Sequence, residues 1–150
     1  MKKITFEFSK GSQDKIIKSL EEYSPNEIGG ILIGIKRNDN SFLITDVSIS
    51  NELNQSHFAS FIRGTQKAQQ LLKKHFKNKT GFYIGEWHSH PSFSLYPSPK
   101  DISTMKGIIK DRNYHAKFAL LTIVKLDTDG EFRSKGFLFH ESLENFISLE

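Results

Sequence analysis

The sequence contains no cysteine. That single absence excludes disulfides, thiolate zinc sites and cysteine nucleophiles, and it fits a reducing compartment. Long apolar runs are also missing. The longest, IGGILIGI from Ile28 to Ile35, falls far short of the roughly 20 residues a membrane-spanning helix needs. The opening residues, MKKITFEFSKGSQDK, start with two lysines but carry no apolar segment behind them, so no secretory signal is expected. No repeat, linker or low-complexity segment interrupts the chain. These absences together lead to the expectation of a soluble, cytoplasmic protein with no membrane partner.

What is present suits one globular unit. The 150 residues are 37% hydrophobic and 25% charged, and a chain of this length buries roughly 70% of its unfolded surface. One domain over residues 1–150 is expected. The net charge is +4 and the isoelectric point about 9.2. Lys73, Lys74, Lys77 and Lys79 cluster around His75 and Phe76. They form either a patch for nucleic acid or an acidic partner, or a helix end whose lysines favour the C-terminal dipole. The helix-end reading is preferred, and nucleic acid is not an expected partner.

The patterning alternates strands with helices. Residues 3–8 read as a strand, and Ser12 as the cap of a helix carrying Ile16, Ile17, Leu20 and Tyr23. EIGGILIGIKR is a buried strand, and SFLITDVSIS pairs back on it as a hairpin. A helical pattern follows from about Arg63 to Lys77. TGFYIGEWHSH is a strand ending at two histidines, and a helix begins near Pro99. KFALLTIVKL reads as a central strand, DTDG as a hairpin turn, and EFRSKGFLFH as the returning strand. ESLENFISLE is expected to close the chain as a short helix. The fold class is α/β (α+β): a single mixed β-sheet with hairpins, covered by helices.

The stretch GEWHSHPSFSLYPSPKD holds the chemistry. Residues i and i+2 of a strand share a face, so His88 and His90 project together and Trp87 points to the opposite, core side. A catalytic zinc takes three protein ligands and keeps one position open. Asp101 is available as the third, because the loop between Pro91 and Pro97 gives the chain room to return. The same residues have ordinary readings. Ser98, Pro99 and Asp101 match a helix start, and a His-x-His pair on a strand is found without any metal. Glu86 shares the histidine face by parity and is open as a base, as a ligand or as a residue orienting a histidine. His57, His75, His115 and His140 lack partners at ligand spacing and are expected as surface or core residues. Phe93, Leu95 and Tyr96 sit on the motif loop, either packing it or gripping a partner.

His88-Ser89-His90-Pro91, followed by the loop to Pro97, then Ser98 and Asp101, resembles the H-x-H-P-x6-S-x2-D motif of the JAMM metalloproteases, also called the JAB or MPN-plus family. The family places a glutamate on an earlier strand, and NEIGGILIG supplies Glu27. The order of elements is similar over roughly residues 5 to 140. The resemblance implies a JAB/MPN-type, cytidine-deaminase-like fold. It implies one catalytic zinc ion held by His88, His90 and Asp101, Glu27 as the general base, and Ser98 as an oxyanion donor. Glu86 then becomes the alternative base or a residue supporting a ligand, and His57 a substrate contact beside Phe93, Leu95 and Tyr96.

The chemistry so implied is a zinc metallo-isopeptidase, cutting after the extended C-terminal tail of a ubiquitin-like protein. The compact form is similar to bacterial members, nearest to the deconjugating proteases of CBASS antiphage systems. Those release a cyclic-nucleotide synthase conjugate. A processing protease for a ubiquitin-like or sulfur-carrier protein is the alternative, and a non-catalytic scaffold of the same fold the alternative of another class.

Overall fold

The computed structural model describes residues 3–51, 65–91, 94–111 and 117–149. His57, Phe93, His115 and the beginning of the helix expected from Arg63 lie outside them.

The chain runs β1 (Thr5–Phe8), α1 (Lys10–Tyr23), β2 (Gly29–Asn38), β3 (Ser41–Val47), α2 (Gln66–Asn78), β4 (Phe82–Ser89), α3 (Pro99–Lys110), β5 (Phe118–Leu126), β6 (Phe132–His140) and β7 (Ile147–Leu149). The strands form one mixed sheet of seven in the order β1-β3-β2-β4-β5-β6-β7. β1–β3 and β4–β5 are parallel and the other pairs antiparallel. β5 is therefore interior, as its apolar run requires, and Gly130 takes a positive φ of 81° in the turn leading to β6.

Helices cover both faces. α1 sends Ile16 and Leu20 into a core with Leu32, Ile44, Trp87, Leu120 and Val124. On the other face Met105 and Ile108 of α3 pack on Leu121, Ile123, Phe137 and Phe139, and Ala68 of α2 packs on Ile31 and Ile33. Successive residues of β2 and β5 thus feed opposite cores, as a period of two dictates. Trp87 is fully buried on the α1 side, and its indole Nε1–H donates to the Ser48 carbonyl at 2.8 Å.

Two local expectations are corrected. The cap of α1 is Ser9, whose side chain accepts from the Ser12 backbone N–H. Ser12 lies inside the helix and uses its own hydroxyl on the carbonyls of Ser9 and Ile44. The chain also ends in β7, not in a helix. Phe146 packs edge-on against Phe137 at 5.4 Å, and β7 then takes up the hydrogen-bonding edge of β6. Tertiary packing overrides a local pattern that suits a helix equally well.

β4 carries a β-bulge. Leu32 pairs with Gly85 and Ile33 with Tyr83, leaving Ile84 as the extra residue. Gly85 has φ of 154°, and a Cβ there would lie 1.8 Å from the Leu120 carbonyl oxygen. The bulge changes the parity of the strand. Tyr83 and Glu86, three apart, reach the same face, and the tyrosine hydroxyl donates to Glu86 Oε1 at 2.8 Å.

Candidate active site

The motif strand delivers His88 and His90 at the end of β4, where the chain leaves the sheet. Both are nearly buried, 6% and 8% exposed. Glu27 precedes β2 and is exposed. β2 and β4 are antiparallel with Gly29 opposite His88, so continuing the register two residues sets Glu27 level with His90. Ser89 fixes that alignment. Its backbone N–H donates to the Ile28 carbonyl at 2.8 Å, and its Oγ accepts from the Ile28 N–H at 2.9 Å.

The helix supplies the remaining two side chains. Ser98 is the N-cap of α3, Pro99 its first residue, and Asp101 the third. Ser98 Oγ accepts from the Asp101 N–H at 3.0 Å, and Asp101 Oδ2 accepts from the Ser98 N–H at 2.9 Å. This is a reciprocal capping box. Because the cap uses a lone pair of Oγ, the hydroxyl proton stays available as a donor.

The strand and helix meet at the Asp101 carboxylate. Its Oδ1 lies 3.1 Å from His88 Nδ1 and its Oδ2 lies 3.4 Å from His90 Nε2. The other nitrogen of His90, Nδ1, lies 3.0 Å from the Ser94 carbonyl oxygen. A carbonyl only accepts, so Nδ1 carries a proton and the neutral ring presents Nε2 as its lone-pair nitrogen.

Burial alone would raise the Asp101 pKa, but the hydrogen bonds to His88 and His90 outweigh it and hold the carboxyl well below the usual range. For His90, burial opposes the charged ring. The bonds to Asp101 and the Ser94 carbonyl, together with the Asp101 and Glu27 charges, overcome that and raise its pKa.

Glu27, His88, His90, Ser98 and Asp101 all line one cleft of about 370 Å³, together with Ser89, Ser94, Tyr96, Lys100 and Thr104. Glu86 does not line it. It lies on the histidine face of β4 but deeper in the sheet, fully buried and held by Tyr83. Leu95 packs against the α3-side core, whereas Tyr96 is 56% exposed and leans on Phe137 and Phe146. His75 is a buried bridge, with Nε2 at 2.8 Å from Asp46 and Nδ1 at 2.7 Å from Thr80 Oγ1. His140 meets Ser142.

Two imidazoles and one carboxylate are the donor set of an open, catalytic zinc centre, and these three side chains already meet through Asp101. By donor chemistry the residues fit zinc. A second acidic group, Asp127, Asp129 and Glu131, is an exposed turn whose carboxylates are engaged by the Glu131 N–H and by Arg133.

A family model described as prokaryotic homologs of the JAB domain matches residues 9–135. The chain belongs to the JAB family. The motif resemblance and the expected fold class therefore hold. A CD-NTase/cGAS isopeptidase of Enterobacter hormaechei subsp. hoffmannii (strain UCI 50) is 30% identical over 130 residues, spanning 85% of this JAB-family chain and 71% of that protein. A protein of the same name from Escherichia coli (strain TW11681) is 34% identical over 90 residues, 58% of this chain and 57% of that one. Solution structures of proteins from Desulfitobacterium hafniense and Salinibacter ruber (strain DSM 13855) share the fold. The first has a TM-score of 0.64 at 22% identity, covering 97% of this chain and 90% of that one. The second has a TM-score of 0.56 at 12% identity, covering 96% and 88%.

Sequence reasoning did not find the supporting groups: Ser89 as the clamp on Ile28, the Ser94 carbonyl that orients His90, and the Tyr83–Glu86 pair. The Ser89 position had a signal. The residue between two ligands on a strand faces the other way, and a hydroxyl there can bond a neighbouring strand. The Tyr83–Glu86 pair had none, because it depends on the bulge.

Proposed function

We propose that this JAB-family protein is a zinc-dependent isopeptidase that releases a cyclic-nucleotide synthase, joined by its C-terminal tail, from target proteins in CBASS antiphage defence. The observation that carries the reading is the single cleft shared by two histidines, an ionised aspartate, an exposed glutamate and a serine hydroxyl. The names of the two relatives support the substrate class.

In this reading His88, His90 and Asp101 hold the metal. Zinc, when bound, supplies Lewis-acid polarisation of a carbonyl and activation of water near neutral pH. Glu27 accepts a proton from the attacking water and returns it to the departing lysine amine as the C–N bond breaks. Its exposure at the cleft and its register beside His90 suit that shuttle, whereas Glu86 is enclosed. The Ser98 O–H donates to the carbonyl oxygen as charge builds on it. The Ser94 carbonyl holds His90 in the tautomer that offers Nε2. No acyl-enzyme is required, in keeping with the absence of cysteine.

The test is cleavage of a cyclic-nucleotide synthase carrying a reporter fused through its C-terminal tail, using the zinc-loaded protein. Release of the reporter that a chelator stops and added zinc restores is expected. Release unaffected by chelation would overturn the metal. Cleavage of a sulfur-carrier fusion in place of the synthase fusion would replace the substrate.

A further inference from the structure

The exposed face of α3 continues from the cleft. Lys100 lines the cleft itself. Pro99, Ile102, Ser103, Lys106, Gly107 and Lys110 line a groove of about 410 Å³ beside it. At 3.6 residues per turn, positions 100, 103, 107 and 110 stack along one stripe with Lys106 on its flank. The track runs about 15 Å away from the site. Resting on the reading above, we infer that this face docks an acidic, extended segment of the protein substrate next to the bond that is cut.

Three observations converge on that occupant. First, Lys100, Lys106 and Lys110 form no ion pair among the described residues, and they lie together along the helix that borders the cleft. Asp101, the one acid within the helix, is turned inward to the histidines, and Asp111 caps its far end. Glu141 and Glu144 share a separate pocket with Lys106, Lys110 and His140, and Glu141 pairs with Lys117 at 3.8 Å. The track therefore keeps positive charge for a partner.

Second, Gly107 stands in the body of the helix, where glycine is unfavourable relative to alanine. Nothing among the described residues demands it. A Cβ at Gly107 would meet no atom within 4 Å, and the residue is exposed. With Ser103 one turn earlier it lets another backbone approach closely.

Third, the track is continuous with the cleft, so a chain whose scissile bond lies over His88 and His90 can follow it without leaving the surface. The floor argues against nucleic acid. Pro99 and Ile102 are aliphatic, and among the described residues no aromatic ring lines the groove to stack a base.

The test uses two fusions with one identical cleavable tail, one flanked by an Asp/Glu-rich segment and one by a Ser/Asn segment. They are assayed with the wild-type protein, the double variant Lys106→Glu/Lys110→Glu, and Gly107→Trp. The acidic fusion is expected to show a KM about 10-fold lower than the neutral one at low salt. That advantage should disappear in the double variant, in Gly107→Trp and at high salt, with turnover of the neutral fusion unchanged in all three proteins. In parallel, fluorescence anisotropy follows labelled acidic and neutral peptides and a labelled single-stranded DNA on the same proteins. Should neither fusion be cut while the acidic peptide still binds through Lys106 and Lys110, the docking face stands and the isopeptidase reading fails. Equal KM and equal binding for acidic and neutral segments would overturn the inference. So would tighter binding of the DNA than of the acidic peptide.

Discussion

Ser98 is assigned two tasks that substitution can separate. Its Oγ accepts the Asp101 N–H at 3.0 Å, and its proton is the proposed donor to the scissile carbonyl. Ser98→Ala removes both. Losing the cap costs about 1 kcal/mol of stability, or roughly 2–4 °C in Tm for a chain of this size. Losing an oxyanion donor costs about 100- to 1,000-fold in kcat, ~3–4 kcal/mol. Ser98→Gly removes the same hydroxyl but costs only a few tenths of a kcal/mol as a cap. Ser98→Thr keeps both functions. Thermal or urea melts of the zinc-loaded proteins should rank the alanine variant least stable and the glycine variant close to wild type. Steady-state cleavage of the synthase fusion should fall by the same large factor in both, with threonine retaining most activity. If kcat instead tracks stability, so that glycine is active and alanine impaired, Ser98 acts through the helix start alone and the donor role is wrong.

Three further outcomes follow from the same geometry. Glu27→Gln should lose at least about 100-fold in turnover while binding one zinc ion by elemental analysis. Glu86→Gln, fully enclosed and outside the cleft, should have the smaller effect on turnover, and the reverse order would reassign the base. Gly85→Ala should destabilise by about 3 kcal/mol or more in a urea melt, because its Cβ is driven into the Leu120 carbonyl. The Asp46 carboxyl is partly buried, which would raise its pKa, but Lys15 and His75 outweigh this and lower it below the usual 3.8. Its contribution is thus fully present above the unfolded carboxylate range and lost as pH falls through the lower folded value. Asp46→Asn should flatten the acid limb of a stability–pH curve, and an unchanged acid limb would refute the assignment.

Much of the site was legible because its two halves obey short-range rules. His88 and Trp87 follow strand parity, and Ser98, Pro99 and Asp101 follow helix-start chemistry. Neither half points to the other by periodicity. Only the resemblance joined them and drew Glu27 from outside the stretch. Parity held for Glu86 because it lies beyond the bulge. Carried back to Tyr83 it would have failed, since the extra residue at Ile84 reverses the faces. The misplaced cap has a similar origin. Ser9 and Ser12 are three apart and equally good caps in isolation, and the parallel pairing of β1 with β3 decides where α1 starts. The last segment shows the limit most plainly. Leu143, Phe146 and Ile147 suit a helix as well as a strand, and the open edge of β6 settles the matter.

The capping box also explains the grammar of the motif. The two residues between Ser98 and Asp101 are the distance from a helix's cap to its third position, a length set by backbone geometry and independent of metal or substrate. The single residue between His88 and His90 is likewise the repeat of a strand. The motif is therefore two rigid words, one spelled in strand units and one in helix units, and the loop between them is its only hyphen. Length changes belong in that loop. An insertion within either word would detach a side chain from the cleft without disturbing the sheet or the helix that carries it.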